Sequence, residues 1–285
     1  CTFEDNLAGR NGGAICMNPD SLYGTVANSS FKNNVANGSA GAIGWQGNTG
    51  EIYNCSFDSN RALNVFAGNS DMGRGAHIVV QGSYSTIRNC TFINGSSKQD
   101  GSAIHINGHN ITVKDSLFTN NTANVSGTVS VNGTNFTLKN STFINNTALA
   151  DGGAVHFLSN AINSTITESI FINNTAGTDA GAVGWHIGAV NGILANSTFE
   201  NNTANRSGGA VYWDGYNGTI MASNFTNNHA LGIDNSTTTG GDGGAVLWTG
   251  SNGTIDGSKF NNNTAAYRGG SIFFTKQIGA VDAEN

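Results

Sequence analysis

Proline is nearly missing from this chain, one residue in 285, and charged side chains make up only 11% of it. With 12 basic residues against 18 acidic ones, the net charge is -6 and no Lys/Arg run gathers anywhere. That balance lacks the electrostatic footprint of a nucleic-acid partner or an anionic lipid surface. No apolar run approaches the roughly 18 residues of a spanning helix, so no membrane span is expected. The four cysteines form no C-x-x-C pair, so a metal knuckle or redox motif has no support. The first residues do not read as a signal peptide, which fits a mature secreted chain or a segment of a longer surface protein.

What is present is repetition. Phe3, Phe31, Phe57, Phe92, Phe118, Phe143, Phe171, Phe199, Phe225 and Phe260 mark ten units of about 28 to 29 residues. An Asn follows three positions after nine of the ten, and only Gly95 departs. A Gly-Ala partner travels with the phrase, as in Gly152-Gly153-Ala154-Val155 and Gly243-Gly244-Ala245-Val246. Ile, Val and Phe return at fixed places, so low charge here does not mean disorder.

Dense Gly pairs, β-branched residues and Asn runs argue against helix. Each unit instead reads as three short strands. In Gly-Ala-Val-x-Trp the pairs Val183/Trp185, Val211/Trp213 and Val246/Trp248 share one face. A Thr-Ile strand places Ile52, Ile87 or Ile166 five residues before the unit's Phe. That odd spacing brings both residues inward only if the chain bends between them. Asn-Gly at 132, 191, 217 and 252 supplies turns. The expected fold is all-β: a right-handed parallel β-helix over residues 1–285, one solenoid of about ten rungs of three short strands. By strand spacing its rod would be about 45 to 50 Å long. Neither end shows an obvious cap, so the ends are expected to continue, stack or be covered.

In such a rod, equivalent residues stand over one another. The position two before Phe reads Cys or Ser throughout, a small buried file, and the Asn three after Phe forms an amide ladder. Cys55 and Cys90 occupy adjacent rungs of that file, close enough for a disulfide; the alternative is that Cys replaces Ser as a small buried residue. Cys1 and Cys16 fall in the first rung, where a bridge would pin a frayed end. The Trp residues at 45, 185, 213 and 248 read as core stacking in preference to a sugar-binding row.

The surface is left with non-repeating features. Sequons at Asn28, Asn37, Asn94, Asn110, Asn124, Asn132, Asn145, Asn173, Asn201, Asn205, Asn217, Asn235, Asn252 and Asn262 are candidates for N-linked glycans. The loop positions Asn205, Asn217 and Asn235 are favoured over Asn140 and Asn196, which directly precede the serine file. Insertions at about 63–74 and 231–241 leave the rod at the same corner, where loops on a rigid scaffold carry specificity. Tyr212, Leu247 and Phe273 would form an exposed apolar strip suited to a subunit contact. Polysaccharide cleavage would need clustered carboxylates with a cation or basic residue. Asp151 and Asp179, on neighbouring rungs, are the weak calcium candidates. His105 and His156 share a column but lie two rungs apart, roughly 9 to 10 Å, too far to share a metal.

The pairing of Phe143-Ile144-Asn145-Asn146 with Gly152-Gly153-Ala154-Val155 resembles the repeat of the chlamydial polymorphic outer-membrane proteins. The fuller wording at Asn140 to Ala148, nearly repeated at Asn196 to Ala204, is similar to adhesin-like surface proteins of methanogenic archaea. The resemblance implies extracellular display at the cell surface, with adhesion or envelope building. The expectation is a non-enzymatic, glycosylated surface protein without cofactor. Its partners would be further copies meeting end to end, or a host or cell-surface glycan or protein. The alternatives are a carbohydrate-active β-helix enzyme and a calcium-stabilised glycan-binding module.

Overall fold

Four parallel sheets, each of ten strands, run the length of the chain, and every rung contributes one strand to each. The computed structural model describes residues 1–66, 72–233 and 240–275, and the backbone of 280–282. One sheet carries the phenylalanines, from Thr2–Glu4 to Lys259–Asn261. The next is made of two-residue strands, from Leu7–Ala8 to Thr264–Ala265. The Gly-Ala sheet follows, from Ile15–Cys16 to Ile272–Phe274, and then the Thr-Ile sheet, from Thr25–Ala27 to Ala280–Asp282. The sequence reading of three strands per rung is therefore corrected to four. The Thr-Ala dipeptide after the ladder Asn pairs with its neighbours above and below, although two residues are too few to display a period.

The required bend is found between the Thr-Ile and Phe strands. Asn28, Asn54, Asn89, Asp115, Asn140 and Asn196 sit there with φ of 45° to 53°, a left-handed conformation that Asn and Asp tolerate best among non-glycine residues. That single kink lets Ile166 and Phe171 both reach 0% exposure despite their odd spacing. The Phe column stacks face to face, with centroid distances of 4.4 Å for Phe118 and Phe143 and 5.1 Å for Phe143 and Phe171. Phe157, Trp185, Trp213 and Trp248 form a second stack inside the rod, so the indoles belong to the core.

A volume rule links distant parts of each rung. Asn217 takes the left-handed turn (φ 54°), while Gly218 makes room, because a Cβ there would strike the Trp213 indole. Where the facing residues are the smaller Ile106 and Val131, the corresponding places are filled by Ile111 and Phe136, both buried. Large opposes small at each level, as close packing requires. One expected turn moves: in the rung of Asn132-Gly133 the left-handed residue is Asn135 (φ 56°). Asn132 belongs to the preceding corner, where its amide donates to Asn107 Oδ1 at 3.3 Å.

Both polar files exist. Asn146 donates from its backbone and side-chain nitrogens to Asn174 Oδ1 (3.1 and 3.0 Å), and Asn174 does the same to Asn202. The serine file bonds differently from a chain of hydroxyls. Ser169 N–H donates to Ser197 Oγ at 3.2 Å, while Ser169 Oγ donates back to Thr167 O at 2.9 Å. Cys55 and Cys90 are free thiols that copy this second bond, to Tyr53 O and Arg88 O at 3.2 Å each. Cys1 and Cys16 are likewise free and exposed. Cys55→Ser and Cys90→Ser should each shift stability by less than about 1 kcal/mol. Urea midpoints independent of reductant would support the serine-like role; a midpoint that falls on reduction would point instead to a disulfide.

Candidate functional site

The Gly-Ala strand turns two residues inward and one outward, and the outward column is where the chain stops repeating. It reads Cys16, Gly44, Val79, His105, Ser130 and His156, then Gly184, Tyr212, Leu247 and Phe273. An outward face should be wet, yet His105 is 1% exposed, Ser130 0% and His156 7%. The cause lies in the adjoining Gly-Gly corner. Gly152 adopts φ +65°, and a Cβ there would come within 2.9 Å of His156 Cβ. Only glycine permits so close an approach, and the corner thus folds over the strand as one wall of a covered groove.

Along this wall run the Asp residues that precede the glycines. Asp100 accepts a hydrogen bond from Ser126 Oγ at 2.8 Å and lies 3.5 Å from Arg74 Nε. Asp179 is gripped by Arg206 Nε and Nη2 and by Ser207 N–H, and Asp242 by Arg268 at 3.0 and 2.7 Å. Burial pushes the Asp179 carboxyl above its ordinary range, and the Arg206 hydrogen bond and charge oppose that shift. Asp151 accepts from Thr178 Oγ1 and from Asp179 N–H. The structure thus brings Asp151 and Asp179 together, but spends Asp151 Oδ1 and both Asp179 oxygens on protein donors, and no cluster of three metal-ligating side chains occurs among the described residues.

The same wall corrects the expected apolar strip. Leu247 is buried, Tyr212 is half-buried with its hydroxyl 3.4 Å from Thr249 Oγ1, and Arg268 lies over the Phe273 ring at 4.2 Å. Asp–Arg pairs from the Gly-Gly corner roof that end of the groove. The described flanks of the two insertions, residues 63–66 and 231–233, leave from this corner; residues 67–71 and 234–239, and with them the sequon Asn235, lie outside the described residues.

Three consecutive floor residues carry polar atoms that make no hydrogen bond of normal geometry, although Asn107 lies beside the His105 ring. Neither ring nitrogen of His105, nor Ser130 Oγ, nor His156 Nδ1 makes a hydrogen bond of normal geometry among the described residues. Burial holds His105 down to about 4, with Asp100 opposing and Arg74 assisting, and it lowers His156 as well. Toward the N-terminal rungs, where the floor shrinks to Gly44 and Cys16, the groove opens into a cavity of about 250 Å³ bordered by Arg10, Gln46, Met72, Gln81, His105 and Asn107. The sequence reading found the His105/His156 column. It missed the burial, because nothing in the local pattern says that an outward strand position will be covered.

The sequons divide by geometry. Asn28, Asn94, Asn145, Asn173, Asn201, Asn217, Asn252 and Asn262 are exposed left-handed corner residues, Asn124 is exposed outside that set, and Asn37, Asn110, Asn132 and Asn205 are half-buried. Asn140 and Asn196 are also exposed. The low rank given them is overturned, because the bend turns the residue before the serine file outward. Many of these amides bond along the surface, as Asn252 Nδ2 does to Asn217 Oδ1 at 3.3 Å.

Compared with known families, residues 1–143 match the model of the right-handed β-helix region. Residues 140–157 and 196–212 match the Chlamydia polymorphic membrane protein repeat. The first match supplies the hand of the coil, as the sequence reading expected. No curated protein and no solved structure matches the chain.

Proposed function

The chain belongs to the right-handed β-helix family, and from that footing we propose that it is a surface-displayed, non-enzymatic repeat protein of adhesin-like or envelope-building type. The observation that carries this reading is the polymorphic-membrane-protein type of repeat at residues 140–157 and 196–212. Its recurring residues are consumed by the rod itself, as stacked Phe rings, an amide ladder and a serine file. A scaffold of this kind leaves recognition to the residues that do not repeat. Those residues meet in the covered groove and at the insertion corner beside it. The Asp carboxylates there are engaged by Arg, Ser and Thr donors, which favours binding over polysaccharide cleavage or calcium capture. The methanogen-like wording of Asn140 to Ala148, N-linked glycans on exposed corners, and stacking of rods through the edges of their end strands are part of the same proposal.

Surface display is tested by antibody labelling of intact cells from the source, with and without permeabilisation. Labelling of intact cells, removed by external protease, is the expected result. Signal that requires permeabilisation would end the proposal.

A further inference from the structure

The cavity at the N-terminal end of the groove combines two kinds of hydrogen-bonding group. Arg10, on its rim, makes no ion pair among the described residues, and its guanidinium offers only donors. The amides of Gln46, Gln81 and Asn107 border the same space. With the His105 ring, which is neutral, they offer acceptors as well as donors. At 1% exposure and without a partner of normal geometry on either nitrogen, that ring is a buried polar group of the kind proteins satisfy. Acceptors are useless to an anion such as sulfate or chloride, which has no protons to give, and a hydrogen phosphate offers only one or two. They suit a ligand that carries hydroxyls beside its charge.

Size narrows the class further. A volume of about 250 Å³ falls just below the roughly 300 to 1,000 Å³ typical of pockets for drug-sized ligands. One sugar ring suits it better than a peptide or a long chain. A metal is disfavoured because His105 is the only His in the lining and no carboxylate joins it.

We infer that this cavity binds a single carboxylate-bearing sugar residue, with its carboxylate at Arg10 and its hydroxyls shared among His105, Gln81 and Asn107. The site gives the adhesin-like reading a ligand class and rests on that reading only for its biological setting. Binding is measured on the purified chain, so its failure would leave surface display standing.

Two substitutions separate binding from folding. A Cβ added at Gly44 would meet nothing closer than Cys16 Sγ at 3.5 Å, and the next rung already carries Val79 in that column. Gly44→Val should therefore fold normally and fill the cavity. Arg10→Gln removes the charge from an exposed position and keeps hydrogen bonding.

Saturation-transfer NMR and calorimetric titration with glucuronate and galacturonate, against glucose, acetate and inorganic phosphate, form the experiment. The expected result is binding of a uronate at least about tenfold tighter than glucose, as one charge-assisted bond provides. Gly44→Val should abolish it at unchanged melting temperature, and Arg10→Gln should erase the preference over glucose. No saturation transfer to any sugar, binding untouched by Gly44→Val, or equal competition by acetate or phosphate would each overturn the inference.

Discussion

Replacing His77 with alanine should destabilise the rod by about 3 to 5 kcal/mol, more than any other single polar substitution in its interior. The buried Asn ladder is broken once, at Gly95, which has no side chain to contribute. His77 spans the break. Asn60 Nδ2 donates to His77 Nδ1 at 3.0 Å, and His77 Nε2 donates to Asn121 Oδ1 at 3.2 Å, which fixes the neutral Nε2–H tautomer. The imidazole lies between Phe57 and Phe92, with centroids 5.9 and 5.8 Å away, and is fully buried. Alanine removes one partner from each flanking Asn and leaves a ring-sized void between two phenylalanines. Asn60 still donates to Phe31 O and Asn121 still accepts from Gly95 N–H, so each polar loss is partial and the void supplies much of the cost. A urea midpoint shift equivalent to less than about 1 kcal/mol, at unchanged slope, would show that the imidazole is not a structural member of the ladder.

The reciprocal substitution ties the two exceptions together. An Asn at position 95 would drive its Cβ to 2.5 Å from His77 Nε2 and against Ser102 O. Gly95→Asn alone is therefore costly. In the His77→Ala background one of the three close contacts, that with the imidazole, disappears and the missing amide returns. The double variant should be more stable than the sum of the singles by about 1 to 2 kcal/mol, the coupling expected of directly touching groups.

This pair also shows how far the sequence could be read. Ladder, stacks and bend follow from periodicity, because a residue repeated at one position must meet its own copies along the rod. Gly95 is visible in the sequence as the single exception to Phe-x-x-Asn. Its remedy is not, since His77 lies in a different strand and becomes a neighbour only through the coil. A signal did exist: His77 replaces the small residue that stands as Ala42 and Ala103 in adjacent rungs. Two columns broken one rung apart is the mark of a compensated defect. The covered groove was less legible. Its burial arises from the left-handed Gly-Gly corner folding over the strand, so Leu247 and Tyr212 read as exposed apolar residues although the fold buries the first and half-buries the second.

Acidification should unfold the rod well before its carboxylates are protonated. His77, His105 and His156 are buried as neutral rings, each pushed down chiefly by loss of hydration, with His77 and His105 reaching about 4 from an ordinary 6.5. Asp58 opposes the shift at His77, and Asp151 and Asp100 oppose it at His156, where His186 adds to it. A folded-state value below the unfolded one means that the unfolded chain binds the extra proton. Stability is therefore complete above about pH 6.5 and is lost as pH falls toward 4, by up to about 1.4 kcal/mol per pH unit for each histidine. His77 and His105 together would remove roughly 5 kcal/mol by pH 4.5, the lower end of the stability of typical domains, and His156 adds in the same direction. Asp179, raised by burial, acts in the opposite sense. In a solenoid, neighbouring rungs carry the cooperativity, so opening should begin at the rungs that hold these rings. Urea titrations at steps from pH 7.5 to 4.5 should show a midpoint that drops below pH 6.5, and His105→Gln should flatten the decline by one proton's worth. A midpoint constant from pH 7 to 5 would mean that the imidazoles gain protons without leaving the fold. The groove would then have to be wet enough to solvate a cation beneath the Asp100 and Asp151 wall.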